Sequence, residues 1–332
     1  MQKFTNMAKK RNIAVVAGGY SSEHDVSIRS AKGIIDNLDT NRYNVYLVIL
    51  EKDKWYVSLP NQQQIAVDKN DFSAEIGNEK ICFDMAYITI HGTPGEDGLL
   101  QGYFDMLNIP YSCCGVLAAS LTFNKYACTH YLRSFGINAA NSILLRQGDC
   151  VSNQRVIAEI GLPCFIKSNV GGSSYGCTKV KTEEEIQPAI ALAFNEGREV
   201  IIESYMKGTE VTCGVFKTKK RAVALPVTEV VTHNEFFDYD AKYKGEVDEI
   251  TPARITNELR DKIQTLTLKI YDIIGCHGII RTDYIIYENG QINLLEINTT
   301  PGMTETSFVP QQIRAAGMTV KDVLTELIED NF

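Results

Sequence analysis

Near the carboxyl end of the chain, an apolar β-hairpin carries a small set of charged and amide side chains. In GIIRTDYIIYENGQINLLEIN, residues 278–298, the pair Asn289-Gly290 is the preferred two-residue hairpin turn, because both central positions need positive φ. With this turn, Asp283 lies directly opposite Glu296, and side chains alternate between the two faces. The polar face then carries Arg281, Asp283, Glu296 and Asn298, and the core side carries Tyr284, Ile286, Leu295 and Ile297.

The polar face of this hairpin predicts a magnesium site. Two carboxylates directly opposite each other destabilise a strand pair, by roughly 4 kcal/mol at a separation of about 4 Å and an intermediate dielectric. A divalent cation between them reverses the sign of that energy. Carboxylate and amide oxygens are hard ligands that suit Mg²⁺ better than zinc. For the hairpin taken alone, a polar face turned toward water remains the alternative.

A glycine-rich loop earlier in the chain has the composition of a phosphate cover. FIKSNVGGSSYGCTKV, residues 165–180, places Lys167 at a strand end and follows it with three glycines and the pair Ser173-Ser174. Exposed backbone N–H groups and hydroxyls can wrap an anion. It is not a Walker loop, because no Gly-Lys-Ser/Thr follows, and its last residues are typical of a returning strand. A plain surface loop is the alternative, but Lys167 and the metal ligands elsewhere favour nucleotide binding.

Composition and charge narrow the classes of function. The chain has 332 residues, with 41 acidic and 33 basic side chains and a net charge of -8. This balance excludes a general nucleic-acid surface, which needs a basic face. No stretch approaches the roughly 18 apolar residues of a membrane span. The nine cysteines lie mostly in apolar runs, which predicts reduced thiols in a cytoplasmic protein rather than disulfides or a zinc site.

The order of elements predicts three α/β segments that hold these motifs. The expected domains are 1–112, 113–204 and 205–332. The first contains strands at 12–19, 44–50 and 85–90 and is expected to form a parallel sheet. Ligands should meet this sheet at the carboxyl ends of its strands, in the loops 18–24 and 91–98. The helices expected in the other two domains lie at 120–136, 256–274 and 318–330.

Taken together, these residues resemble the ATP-grasp fold, and within it the D-alanine–D-alanine ligase family. The matching motifs, in order, are GGYSSEHDVS, HGTPGEDG, FFDYDAKY, GIIRTD and LLEINTTPGMTETS. They run from residue 18 to residue 307 and so cover all three segments. The resemblance implies an α/β architecture with a Rossmann-like amino-terminal domain and two lobes that sandwich ATP.

The resemblance also implies a reaction, its cofactors and its partners. Two D-alanines and ATP would give D-alanyl-D-alanine, ADP and phosphate through a D-alanyl phosphate, for peptidoglycan precursors. Two Mg²⁺ ions, or Mn²⁺ in their place, would balance the spread phosphoryl charge. A homodimer is implied, with an apolar helix face in 100–120. A D-alanine–D-lactate or other ATP-grasp amino-acid ligase, and an inactive nucleotide or amino-acid sensor, remain alternatives.

The family's ATP and metal residues carry over by motif. The implied metal ligands are Asp283, Glu296 and Asn298. The groups expected around the ATP phosphates are Lys125, Lys167, Ser173, Ser174 and Lys242. Those expected around the adenine and ribose are Glu203, Tyr205, Met206 and Glu210. The segment 232–247, which contains Lys242, is implied to be a mobile loop that closes over ATP.

The implied substrate residues are spread over the whole chain. The catalytic set is Glu23, Ser173, Tyr243, Arg281, Gly302 and Ser307, with His91 added for substrate binding. Arg281 and the backbone N–H of Gly302 would form an oxyanion site, while Ser307 would hold the second D-alanine's carboxylate. Glu23 would take the first ammonium, linked to Ser173 and Tyr243. Tyr243 favours D-alanine over D-lactate as second substrate. From the residues alone, Glu23 could instead be an acidic first-turn residue, and His91 a hydrogen-bonded loop histidine.

Overall fold

The computed structural model describes residues 10–171, 176–232 and 247–332. The strands in these ranges form three sheets. Among the described residues, no helix is long and apolar enough to cross a membrane. The three sheets and the helices between them give the mixed α/β architecture that the sequence predicts. The residue boundaries proposed for the three domains stay a prediction.

The amino-terminal sheet has a parallel core and an antiparallel extension. Its core strands, in spatial order, are β2 (Tyr43–Leu50), β1 (Arg11–Gly18) and β7 (Met85–Ile88). Four further strands continue from β2 as an antiparallel meander, namely β3 (Trp55–Ser58), β4 (Gln64–Asp68), β5 (Ser73–Ile76) and β6 (Glu79–Cys82). The parallel sheet expected from three strands is confirmed for those strands. The antiparallel extension was not predicted, and it forms because these short connected strands pair with their neighbours in the chain.

The second sheet is antiparallel and has one covered face. In spatial order it contains β10 (Thr178–Val180), β9 (Cys164–Ser168), β11 (Glu199–Ser204) and β8 (Ser142–Arg146). Helices α5 (Asn153–Glu159) and α6 (Ile186–Ala193) share an apolar core with these strands. The helices that precede this sheet are α1 (His24–Asn37), α2 (Leu99–Leu107), α3 (Val116–Phe123) and α4 (Lys125–Arg133). The single helix expected over 120–136 is wrong, because the chain breaks at Asn124, whose side chain caps α4.

The third sheet carries most of the predicted site. Its strands are β12 (Thr209–Lys217), β13 (Ala222–Ala224), β14 (Thr228–Thr232), β15 (Val247–Ile250), β16 (Ile279–Ile286) and β17 (Ile292–Asn298). Helix α7 (Asn257–Ile274) packs on one face, where Val211, Cys213 and Val215 meet Ile263 and Ile270. The other face meets helix α8 (Phe308–Ala315), which the sequence reading missed. Helix α9 (Val320–Glu329) completes the chain.

The amino-terminal domain and the last two helices share one apolar core. Residues of β1 and α1 lie in the same cluster as residues of α8 and α9. Gly33 of α1 allows this close approach, because a Cβ there would lie 2.3 Å from the carbonyl oxygen of Met303. At the far end, the Tyr43 hydroxyl donates to Glu329 at 2.7 Å. This packing holds the 299–307 loop against the first domain.

The β16–β17 hairpin keeps its predicted register near the charged residues, although the predicted turn is wrong. Asp283 pairs with Glu296, and Arg281 with Asn298. The turn is one residue longer than expected, because the Tyr287 N–H donates to Gln291. A bulge between Asp283 and Tyr284 on one strand and Leu294 and Glu296 on the other restores the register.

The bulge also changes which leucine is buried. Leu294 is 1% exposed and belongs to the core against α7. Leu295, expected in the core, instead lines the cavity on the opposite face together with Glu296. The prediction for Leu295 was wrong because strict alternation fails where an extra residue enters a strand.

Candidate active site

A cavity of about 440 Å³ lies between the second and third sheets. It brings together residues from the start of α4, from β9 and β11 of the second sheet, and from four strands of the third. Nine of the residues proposed from the sequence line it: Lys125, Lys167, Glu203, Tyr205, Met206, Glu210, Arg281, Asp283 and Glu296. Ser173, Ser174, Lys242 and Tyr243 lie outside the described residues.

The break before α4 places one lysine at the mouth of this cavity. Lys125 is the first residue of α4, and its Nζ donates to the carbonyl oxygen of Gly171 at 2.6 Å. Asn169 is fully buried and holds the two segments together. Its carbonyl oxygen accepts from the Lys125 N–H at 3.1 Å, and its Oδ1 accepts from the Tyr126 N–H at 2.9 Å. The start of the glycine-rich loop is therefore fixed to the helix that carries Lys125.

Burial lowers the pKa of both cavity lysines and nearby carboxylates raise it, but the balance differs between the two. Burial lowers the pKa of Lys125, and the nearby Lys167 ammonium lowers it further, against the Glu296 carboxylate. Burial also favours a lower pKa for Lys167, but Glu203 outweighs it and raises that pKa above its ordinary value. The Lys167 Nζ lies 2.6 Å from Glu203 Oε2. Both lysines line the cavity.

On the third sheet, Arg281 holds the two carboxylates of the hairpin. Its Nε lies 2.9 Å from Asp283 Oδ1 and its Nη2 lies 2.7 Å from Asp283 Oδ2. The same Nη2 lies 3.8 Å from Glu296 Oε1. Burial opposes the charge of this guanidinium, but Asp283 and Glu296 raise the pKa of Arg281 above its ordinary value. The repulsion expected between the carboxylates is thus offset by Arg281 as well.

The donor set fits a hard divalent cation. Asp283 and Glu296 face the cavity from paired positions, and Asn298 follows on the same face. The Asn298 Oδ1 accepts from the Thr300 N–H at 3.0 Å and keeps a second lone pair. The described part of the chain holds no metal-binding group of three or more His, Cys, Asp or Glu side chains. This site differs from such groups because its third ligand would be an asparagine amide. Two carboxylates and one amide leave coordination positions for phosphate oxygens, as Mg²⁺ sites commonly do.

The opposite end of the cavity is more apolar. Phe165 and Tyr205 lie with ring centroids 6.0 Å apart, and the Lys179 ammonium lies 4.3 Å from the Tyr205 ring centroid. Leu295 and Ile285 complete the lining on the third sheet. Aromatic and apolar walls with a few polar groups are typical of small-molecule pockets. Sequence reasoning missed Leu295 because only the bulge turns it toward the cavity.

Gly302 and Ser307 lie next to each other beyond Arg281. A Cβ on Gly302 would lie 3.0 Å from the Ser307 Oγ. Ser307 is the N-cap residue of α8, yet its side chain does not cap the helix. Its Oγ lies 2.7 Å from the Thr304 Oγ1. The next residue, Phe308, has its ring centroid 5.4 Å from the Arg281 guanidinium carbon. The structure therefore brings Arg281, Gly302 and Ser307 into one region.

The two predicted ligand loops of the first domain meet each other. The Tyr20 N–H donates to the Thr93 carbonyl, and the Ser21 hydroxyl donates to the His91 carbonyl at 2.8 Å. Glu23 stands at the N-cap of α1 without a side-chain cap bond. Burial lowers the pKa of His91, with Glu23 opposing and Arg281 reinforcing the shift. Glu23, His91 and Arg281 are therefore close enough to act on one another electrostatically.

Glu96 joins these loops to the segment that follows β17, and the sequence reading did not single it out. Its carboxylate accepts from the Gly92 N–H at 2.6 Å and from the Thr300 hydroxyl at 2.8 Å. Burial raises the pKa of Glu96 to about 7. The signal in the sequence was its place in HGTPGEDG, but its partner Thr300 lies 204 positions along the chain.

Known proteins match this chain along almost its whole length. Family models described as the D-ala D-ala ligase N-terminus and C-terminus match residues 12–114 and 131–329. The chain belongs to this family. A curated D-alanine--D-alanine ligase from Bacteroides fragilis (strain YCH46) is 64% identical over 323 residues, which cover 97% of this chain and 100% of the relative.

Solved structures of family members superpose on the chain as well. The VanG D-Ala:D-Ser ligase from Enterococcus faecalis has a TM-score of 0.86 and 29% identity, covering 98% of this chain and 100% of that chain. The D-alanine--D-alanine ligase from Bacillus anthracis complexed with ATP has a TM-score of 0.78 and 29% identity, covering 97% of both chains. The ATP-grasp architecture expected from the sequence is confirmed.

Proposed function

We propose that this protein joins two D-alanines into D-alanyl-D-alanine while ATP is converted to ADP and phosphate, for peptidoglycan precursor synthesis. The observation that carries the proposal is the single cavity lined by Lys125, Lys167, Arg281, Asp283 and Glu296. Cationic side chains and metal-binding carboxylates that face one cavity are what a phosphoryl transfer requires. The membership of the chain in the D-ala D-ala ligase family supports the choice of substrate.

In this proposal ATP lies between the second and third sheets. Lys125 and Lys167 bind its phosphates, and the apolar end near Tyr205, Met206 and Leu295 holds the adenine. Glu203 and Glu210 provide hydrogen-bond acceptors for the adenine edge and the ribose. Asp283, Glu296 and Asn298 would hold Mg²⁺, which when bound neutralises the phosphate charge. Ser173, Ser174 and Lys242 lie outside the described residues, and their role at the phosphates stays a prediction.

The chain's own residues would then place the two amino acids. Glu23 binds the ammonium of the first D-alanine, beside His91, so that its carboxylate can attack the γ-phosphate of ATP. Ser307 holds the carboxylate of the second D-alanine, whose amine attacks the resulting acyl phosphate. Arg281 and the Gly302 N–H stabilise the oxyanion of the tetrahedral intermediate. Tyr243 lies outside the described residues, and its link to Glu23 stays a prediction.

The test of the activity is phosphate release from ATP and Mg²⁺ with D-alanine, L-alanine or D-lactate. Release that depends on D-alanine and saturates in two phases is expected from two amino-acid subsites. Release that rises when D-lactate is added at neutral pH would support a depsipeptide ligase instead. No release with any of them would contradict the proposal and favour another substrate or a sensor.

A homodimer is part of the proposal. Helices α2 and α3 pack together at Gly98, where a Cβ would lie 2.3 Å from the Ser120 Oγ. Both present large apolar side chains to solvent, with Met106 and Leu117 each 77% exposed. A second copy of the chain would cover this surface. Sedimentation should show a dimer that Leu117→Asp converts to monomer, whereas Leu192→Asp, on the exposed side of α6, should leave it dimeric.

A cytoplasmic location also belongs to the proposal. Among the described residues no two cysteines form a disulfide, and Cys113 and Cys114 are buried. Free thiols are typical of a reducing compartment, where ATP is also supplied. Fractionation of cells that express the protein should recover it with the cytoplasmic contents, and recovery in a membrane or external fraction would contradict this assignment.

A further inference from the structure

A buried glutamine on α8 reaches into the third sheet beside the proposed active site. Gln312 is fully buried. Its Oε1 accepts from the Gly214 N–H at 2.9 Å, and its Nε2 donates to the Thr212 carbonyl and to the Thr228 hydroxyl, both at 3.0 Å. A buried amide that makes all of these bonds avoids the large free-energy cost of an unpaired polar group.

Gln312 fills a gap in the backbone pairing of β12. Strand β13 pairs with β12 at Val215–Lys217, and β14 pairs with it at 210–212. Between these two neighbours, the Gly214 carbonyl accepts from Leu225, and its N–H has Gln312 as its partner. Gly214 leaves room for this side chain, because a Cβ there would lie 2.7 Å from Gln312 Oε1 and 2.8 Å from Leu225 Cδ1. The side chain of the helix therefore substitutes for a missing strand.

This contact lies one strand away from the centre of the proposed chemistry. Gly214 is the register partner of Arg281 on β16. Ser307 and Phe308 stand at the start of the helix that carries Gln312. The apolar contacts of Val309 and Ile313 bury α8 but have no direction of their own. The hydrogen bonds of Gln312 are directional, so they set where α8 lies along β12.

We infer that Gln312 is a positioning residue for the second amino-acid subsite. By locking α8 onto β12, it sets the distance from the Ser307 hydroxyl to the Arg281 guanidinium, and so the place of the second substrate's carboxylate relative to the oxyanion site. The inference rests on the proposed function, since it takes Ser307 as part of that subsite. Gln312 acts through α8 and touches neither substrate nor ATP.

The test compares Gln312→Leu with Gln264→Leu as a matched control. Gln264 on α7 also donates from its Nε2 to backbone next to β12. Its acceptors are the carbonyl oxygens of Ala224, in β13, and of Leu225, at 3.2 and 3.0 Å. It does so from the opposite face, away from Ser307. Each substitution removes helix-to-sheet hydrogen bonds, and only Gln312→Leu should disturb the second subsite.

Two readouts separate the subsites. Positional isotope exchange in ATP, dependent on D-alanine, reports the first half-reaction, and dipeptide formation reports the whole. For Gln312→Leu, exchange should change by less than about twofold, while the D-alanine concentration needed in the second phase rises about tenfold, as expected for a displaced contact group. Gln264→Leu should lower the melting temperature and leave both readouts unchanged.

Gly214→Ala gives an independent route if Gln312→Leu does not fold. Its added methyl group would displace the Gln312 side chain without removing it, and the same second-phase effect is expected. Equal changes in both phases, or a second phase that stays unchanged in a folded variant, would overturn the inference. If the unsubstituted protein shows no exchange with D-alanine, the proposed function itself fails, and the role of Gln312 fails with it.

Discussion

The two walls of the cavity each carry a buried cation paired with a carboxylate, and the two pairs differ in how firmly the cation is held. On the second sheet, the Lys167 Nζ makes one contact with Glu203 at 2.6 Å. On the third sheet, Arg281 donates two hydrogen bonds to Asp283, from Nε and from Nη2. An ammonium is a point charge on a flexible stem, whereas a guanidinium forms a rigid fork. The lysine can turn toward a phosphate, while the arginine is fixed before any substrate arrives.

The difference fits the two tasks proposed for these walls. A lysine that exchanges Glu203 for a phosphate oxygen contributes mainly to nucleotide binding. An arginine that is already oriented stabilises developing charge without reorganisation during the reaction. Ligand affinity and turnover should therefore respond separately to changes on the two walls. Substitutions on the two walls test that separation.

The largest effect is expected for Asp283→Asn. The substitution removes the negative charge of a proposed metal ligand and one of the two oxygens that accept from Arg281, so kcat should fall about a thousandfold. The amide retains the shape and one acceptor oxygen, and Glu296 stays near Arg281, so thermal unfolding should remain cooperative. Asp272→Asn, which removes the carboxylate paired with Lys217 at the surface, is the control. Full turnover in Asp283→Asn would contradict the metal assignment.

A smaller loss is expected for Arg281→Lys. The charge is kept, but one ammonium cannot make the two parallel bonds to Asp283. The value of kcat should fall about a hundredfold, with the KM for ATP nearly unchanged. Steady-state kinetics with ATP varied at saturating D-alanine measures both. A change confined to the KM for ATP would show that Arg281 serves binding rather than turnover.

Lys167→Arg should change the KM for ATP rather than kcat. A guanidinium can form a two-bond fork with Glu203, which would hold the cation away from the phosphates. The KM for ATP should rise about tenfold while kcat changes little. Lys217→Arg provides a control for the substitution itself, because Lys217 pairs with Asp272 outside the cavity. Equal loss of kcat and affinity would remove the distinction between the two walls.

The smallest effect concerns Glu96, whose carboxylate accepts from a backbone N–H and a hydroxyl. Its folded-state pKa of about 7 lies above the ordinary value of 4.5. The folded state therefore binds more protons than the unfolded state between these values, and the free energy of unfolding falls as pH rises through that window. The fall is about 1 kcal/mol between pH 6 and 7. Denaturant unfolding of the unsubstituted protein and of Glu96→Gln checks this, and an equal pH slope in both would contradict it.

Much of the site could be predicted because its signals are local. Alternation along β16 and β17 places Asp283 and Glu296 on one face within a stretch of about twenty residues. The glycine-rich loop and its preceding lysine are likewise contiguous. The error at Leu295 arises because local alternation assumes an uninterrupted strand. The longer turn shifts the register by one residue and the bulge restores it, but Leu295, the extra residue of the bulge, faces the cavity.

Contacts between distant segments could not be predicted from local pattern. The helix break at Asn124 is stabilised by Asn169, which lies 45 residues away. Glu96 meets Thr300 only because the first domain packs against the third sheet. Gln312 lies on a helix that the sequence reading missed, and its partners are about a hundred residues earlier.

By itself, the sequence determined the chemical groups, the strand alternation that aligns Arg281, Asp283, Glu296 and Asn298, and the family to which the chain belongs. These depend on residue type and on interactions between near neighbours in the chain. Only the tertiary structure decided that Leu295 lines the cavity, that Lys125 begins a helix, and that Gln312 bonds the helix beginning after Ser307 to β12. Those arrangements arise from packing between distant elements, where burial and hydrogen bonding select among local conformations that the sequence alone leaves open.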